Sequence, residues 1–198
     1  MKIPPDPRRG ADPTWHGGWL ERAIRAESPN YGPRPASSPI DLIVVHSISL
    51  PPGEYGGLFV QQLFTNQLDW NAHAYFEQIR GTEVSAHFFI QRTGRLTQFV
   101  STQQRAWHAG KSQWRGRENC NDFSIGIELE GLEDHPFEAI QYEVLRSLIW
   151  DIQHVHPLVQ DVVGHSDVAP GRKRDPGDAF EWHFFDEPRP NQAVYMSL

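Results

Sequence analysis

The sequence predicts a single α/β domain, and three stretches carry that reading. DLIVVHSIS holds an unbroken apolar run, Leu42 to Val45, of the kind found in strands covered on both faces. FSIGIELEG alternates, with Phe123, Ile125, Ile127 and Leu129 on one face and Ser124, Gly126, Glu128 and Glu130 on the other. From Pro136 to about His154 the period changes. Phe137, Ile140, Val144, Leu145, Leu148, Ile149 and Ile152 recur at three- and four-residue steps, as in an amphipathic helix laid over a sheet, with Pro136 suited to its first turn. A chain of 198 residues fits one such domain with one core.

Taken in order, residues 1–18 are polar and rich in Pro and Gly, and are expected to form a mobile extension ahead of a domain spanning 19–198. Residues 19–39 read as a short strand or turn followed by coil on the domain surface. The strand over Leu42 to Val45 then delivers His46 to its end, where the functional edge of an α/β sheet lies. Residues 51–74 form a long connection with one helix, roughly Leu58 to Leu68, and connections of that length often serve as binding loops or lids, here extending over 51–84. SAHFFIQRTGRLTQFV predicts two strands, 85–91 and 95–100, joined by a turn at Gly94. LVQDVVG is a further apolar segment, and it ends at His165. No repeat or low-complexity tract interrupts this order.

Composition narrows the function. A formal net charge of −7 argues against nucleic acid as partner, since phosphate binding needs a surplus of clustered Lys and Arg. Cys120 is the single cysteine, so no internal disulfide can form. The opening MKIPPDPRRGADPTWHGGWL is broken by proline and charge, unlike a secretory leader, and no apolar run approaches the ~20 residues of a membrane span. The expectation is a soluble cytoplasmic protein that binds neither nucleic acid nor membrane.

The stretch GHSDVAPGRKRDPG, residues 164–177, concentrates charge in a stiff loop. It reads either as a solvated turn held by its prolines and glycines or as a rigid site. Six of the ten histidines (His16, His73, His135, His154, His156 and His183) fall in polar, coil or helix-end contexts suited to structural or solvent roles. His46 and His165 differ, each following an apolar segment. With Asp175 they make a three-ligand set of the catalytic zinc type, which leaves a fourth position open; a structural site would call for four ligands, usually cysteines. Glu128 is the candidate acid/base, though spacing alone favours a solvent-facing strand glutamate. Lys173 is a candidate for stabilising an oxyanion, or else a surface lysine. In RAWHAGKSQWRGRENCND, Trp107 and Trp114 flank His108 among glycines and cations, and such tryptophans serve either as sugar-stacking faces or as core anchors.

VVHSISLPPGEYGG, VSAHFFIQRTG, RAWHAGKSQWRGRENCNDFSIGIELEG and GHSDVAPGRKRDPG, in this order, resemble the signature blocks of the AmpD type of zinc amidases. These are N-acetylmuramoyl-L-alanine amidases related to phage T7 lysozyme and the peptidoglycan recognition proteins. With WLERAIRAESPNYGPRP the resemblance covers roughly residues 19–185. It implies a mixed central β-sheet flanked by α-helices, with Zn2+ held by His46, His165 and Asp175, Glu128 as catalytic acid/base and Lys173 as transition-state stabiliser. It also implies the substrate, an anhydro-muropeptide cut between the lactyl group of 1,6-anhydro-N-acetylmuramic acid and L-alanine during cytoplasmic cell-wall recycling, by an enzyme expected to be a monomer. Trp107 would contact the muropeptide and Arg172 the carboxylates of its peptide. Two positions depart from the family pattern: Ser47 replaces an asparagine after the first ligand and can still donate a hydrogen bond, and Asn119 replaces an arginine and carries no charge. The alternatives are an amidase acting on intact peptidoglycan and a noncatalytic module that recognises peptidoglycan fragments.

Overall fold

The computed structural model describes residues 13–185. Its centre is a six-stranded sheet: β1 (Ile24–Arg25), β2 (Leu42–Ile48), β3 (Phe88–Ile90), β4 (Leu96–Gln98), β5 (Ser124–Glu130) and β6 (Asp161–Gly164). The spatial order is β6-β2-β5-β3-β4-β1. Strands β6, β2, β5 and β3 run parallel, β4 returns antiparallel to β3, and β1 lies parallel to β4, so the sheet is mixed.

Among the described residues three α-helices accompany it: α1 (Phe59–Phe64), α2 (Ala139–Val155) and the single turn α3 (His165–Val168). Helix α2 covers one sheet face. Ile43 and Val45 of β2, with Ile125, Ile127 and Leu129 of β5, pack with Leu145, Leu148, Ile149 and Ile152, all without solvent exposure. Burying each such side chain stabilises the fold by about 1.5–3 kcal/mol. The opposite face divides in two. Leu42, Val44, Cys120, Phe123 and Val168 pack at one end, and α1 with the 3-10 turn Ala74–Ile79 covers Phe89 and Phe99 at the other.

The helix boundaries differ from those expected. Helix α2 begins at Ala139, after Pro136, because Glu138 and Gln141 form a reciprocal capping box. The Gln141 amide also donates to the carbonyls of Ile90 and Glu130, fixing the helix start to the ends of β3 and β5. Helix α1 stops at Phe64, where Thr65 bonds back to Gln61 and Asn66 turns left-handed at φ 57°, so Leu68 is buried from a loop. Of the expected mobile extension, residues 1–12 lie outside the described residues, as do 186–198 of the expected domain. Within 13–18, Trp15–His16 pairs with Trp19–Leu20 in a small hairpin, and Trp15 meets Phe88 edge-on at 6.4 Å. The aromatic ring supplies burial that the polar composition around it conceals.

Candidate active site

Strand register builds the first half of the site. Glu128 is the Cα partner of His46, and Gly126 that of Val44, so their side chains share the face opposite α2. Every residue of β5 is buried, so its polar face does not meet solvent as a half-exposed strand would. Glu128 is only 8% exposed. Strand β6 places Gly164 opposite Val45, so His165 follows at the level of His46 as the first residue of α3. The loop beyond α3 folds back, with the Ser166 N–H donating to the Asp175 carbonyl at 2.9 Å, and this brings Asp175 beside both histidines.

Three donor atoms converge there. His46 Nδ1 and His165 Nδ1 lie 3.0 Å apart, and Asp175 Oδ2 is 3.1 Å from the first and 3.0 Å from the second. Two imidazole nitrogens and a carboxylate oxygen at mutual contact present their lone pairs to one point, an arrangement a bound cation resolves. The N2O set, all buried, suits zinc. His165 Nε2 lies 3.1 Å from the Ala109 carbonyl, which can only accept, so its proton sits on Nε2 and Nδ1 is bare. His46 Nε2 lies 2.9 Å from His108 Nδ1.

Electrostatics agree with a ligating role. Burial pushes His46 down to about 4, against a smaller opposing effect of its contact with Asp175, so the ring is neutral at neutral pH. Burial alone would raise the Asp175 carboxyl, but its close contacts with His165 and His46 outweigh it and hold the group below the ordinary carboxylate range. Glu128 is held well above that range, first by burial and then by Asp175, with Lys173 opposing. Its Oε2 is buried with no hydrogen-bond partner, an acceptor waiting for a donor.

A cleft of about 350 Å³ opens over these groups, lined by His46, Ser47, Trp107, Glu128, Lys173 and Asp175 among others. Seven of the eight residues singled out from sequence, His165 included, thus share one cavity wall. Arg172 stands apart. Its guanidinium donates to the carbonyls of Ala109 and Lys111 and lines a second cleft with Lys111 and Asn119, so it links the 109–111 segment to the ligand loop. Trp114 is an anchor, its indole N–H donating to Asp161 at the start of β6. Asp167 bonds the Gly164 N–H at 2.7 Å and so closes the turn into α3.

Sequence reasoning gave no role to two histidines, the buried His87 and the half-buried His108. His87 accepts the Gly126 N–H at 3.0 Å, and His108 sits between His46 and Ser124. A Cβ on Gly126 would overlap the His108 ring, so the glycine in the middle of β5 was the available sign that a side chain crosses there.

Three converging metal donors and a buried carboxylate lining the same cleft are the features of a metal-dependent hydrolase. The family profile of N-acetylmuramoyl-L-alanine amidases matches residues 36–178, and the chain belongs to that family. The 1,6-anhydro-N-acetylmuramyl-L-alanine amidase AmpD of Escherichia coli K12 is 48% identical over 169 residues, which span 85% of this chain and 92% of that protein. A crystal structure of an AmpD selenomethionine derivative superposes with a TM-score of 0.84 at 46% identity, covering 87% of this chain and 97% of the other. The amidase AmiD of E. coli, solved in complex with anhydro-N-acetylmuramic acid-L-Ala-D-γ-Glu-L-Lys, gives a TM-score of 0.54 at 32% identity, covering 76% of this chain and 58% of the other.

Proposed function

We propose that the chain hydrolyses the amide joining the lactyl group of 1,6-anhydro-N-acetylmuramic acid to L-alanine of the stem peptide, in the cytoplasmic recycling of cell-wall fragments. The observation that carries this reading is the convergence of the His46, His165 and Asp175 donors beside the unpartnered Glu128 carboxylate oxygen. The likeness to AmpD over most of both chains supports the substrate and the compartment.

In this reading His46, His165 and Asp175 hold zinc, which supplies Lewis acidity toward the scissile carbonyl and the attacking water. Glu128 takes a proton from the water as its oxygen bonds the lactyl carbon. It returns that proton to the alanine nitrogen as the C–N bond breaks, and the products separate as a lactyl carboxylate and an alanine ammonium, the acid proton passing to the amine. Its raised affinity for protons suits both halves of that exchange. Lys173, on the cleft wall, faces the negative charge that develops on the carbonyl oxygen. Trp107 offers a flat apolar face to the sugar, and Ser47 a hydroxyl to polar groups of the substrate. Arg172 acts on the peptide only indirectly, by shaping the 109–111 segment.

The partner is a small molecule, and the working form is a monomer. A net charge of −7 is unsuited to nucleic acid, and among the described residues no helix is long and apolar enough to cross a membrane.

The test is mass spectrometry of products from anhydro-muropeptide, ordinary muropeptide and intact peptidoglycan, with and without a chelator. Release of free peptide from the anhydro substrate, abolished by chelation, is expected. Binding without cleavage would establish a recognition module instead, and preference for intact wall would move the enzyme to another substrate.

A further inference from the structure

A relay of hydrogen bonds runs from the metal site into the sheet. His46 Nε2 is 2.9 Å from His108 Nδ1, His108 Nε2 is 3.2 Å from Ser124 Oγ, and Ser124 Oγ is 2.5 Å from the Cys120 carbonyl oxygen. The last group settles the direction of the whole chain. A backbone carbonyl only accepts, so the Ser124 hydroxyl proton points to Cys120 and its oxygen is left to accept from His108. For neutral rings, His108 then carries its proton on Nε2 and offers a bare Nδ1. That nitrogen accepts from His46 Nε2–H, and His46 is left with a bare Nδ1 facing His165 and Asp175.

We propose that His108 is a positioning residue that fixes the tautomer and orientation of His46 for the metal, with Ser124 and the Cys120 carbonyl setting its direction. The inference rests on the metal site of the preceding section. Two further features support it. The His108 and Ala109 N–H groups both donate to Asn121 Oδ1, at 3.1 and 2.8 Å, so the relay histidine and the carbonyl that fixes His165 are adjacent residues pinned by one side chain. Both metal histidines are therefore keyed by a single turn of backbone. Gly126 lacks the Cβ that would overlap the His108 ring, so β5 leaves the ring its place.

The test is zinc affinity, measured by competition with a chelator of known strength, in the parent and in His108→Ala, His108→Asn and Ser124→Ala. An asparagine Oδ1 stands where the imidazole Nδ1 stands and can accept from His46. His108→Ala is expected to weaken zinc binding about 10- to 100-fold, His108→Asn to restore it to within about threefold of the parent, and Ser124→Ala to weaken it by a smaller factor. In the zinc-loaded parent, ¹⁵N imidazole spectra should show the His108 proton on Nε2. Parent affinity in His108→Ala, equal loss in the Asn variant, or a His108 proton on Nδ1 would each overturn the assignment. Should His108→Ala not fold, unchanged affinity in Ser124→Ala overturns it alone. Amide cleavage that fails while these affinities behave as expected would count against the proposed function and leave the relay standing.

Discussion

Glu128 and His46 are Cα partners across the β2–β5 ladder, so the proposed proton carrier and the first metal donor leave neighbouring parallel strands side by side. Partner strands lie about 4.8 Å apart, the separation at which a carboxylate reaches a water beside the metal without being a ligand itself.

That placement separates proton transfer from metal binding. Glu128→Gln keeps the shape of the side chain and removes the base. Turnover on anhydro-muropeptide should fall about 10²- to 10⁴-fold, while zinc content measured by atomic absorption stays at the parent level. Parent turnover would remove Glu128 from its role.

Lys173 shares the cleft wall with Glu128 but lies on the ligand loop. Lys173→Met should lower kcat by about 10²- to 10³-fold and change KM little, because charge on the carbonyl oxygen exists only in the transition state. A change confined to KM would recast the lysine as a ground-state contact.

Removing zinc should also destabilise the fold, since the donors are assembled only in the native state. At free zinc 100-fold above its Kd the metal contributes about 2.7 kcal/mol, read as a drop in Tm on chelation and its return on adding zinc. An unchanged Tm would mean that zinc does not bind this site.

Acid should weaken the protein through histidines that are not metal donors. Burial, and secondarily Arg34, pushes His156 down to about 4 from 6.5, and His87 is held well below its ordinary value by the same two causes. The unfolded chain therefore binds more protons than the folded one below about 6.5. Stability is full above that pH and declines as pH falls toward about 4. His156→Gln, whose amide can still reach Thr102, should flatten part of the decline in Tm between pH 7 and 4.

How much of this was legible in sequence depends on the distance a pattern must span. The alternation of FSIGIELEG placed Glu128 on the face away from Ile127, because strand period is local. The run LIVV likewise placed His46 near a strand end. That Glu128 is buried was not legible, since it needs the loops that cover β5. The start of α2 was misplaced because the capping pair Glu138 and Gln141 outranks a proline suited to a first turn. Asp175 needed the fold-back of a ten-residue loop, and its ligand role came from the residue types and the family resemblance. His108 was passed over because its partner His46 is 62 positions away. The peptide contact of Arg172 came from the family resemblance; its bonds to the Ala109 and Lys111 carbonyls were not legible, because charge in a loop gives no hint of which backbone it meets.

Strand β6 has four residues and forms one border of the sheet, and both His165 and Asp175 lie just beyond it. An ion shared with His46 thus acts as a rivet across the outermost seam, joining the last strand to the interior by something other than its short ladder. Short border strands open earliest in native-state fluctuations. Loss of the ion would loosen that margin first, raising amide exchange across 161–175 while the region under α2 stays closed. It would also bare an unpaired strand edge to other molecules. The ion that serves the chemistry would then guard the sheet against joining its neighbours.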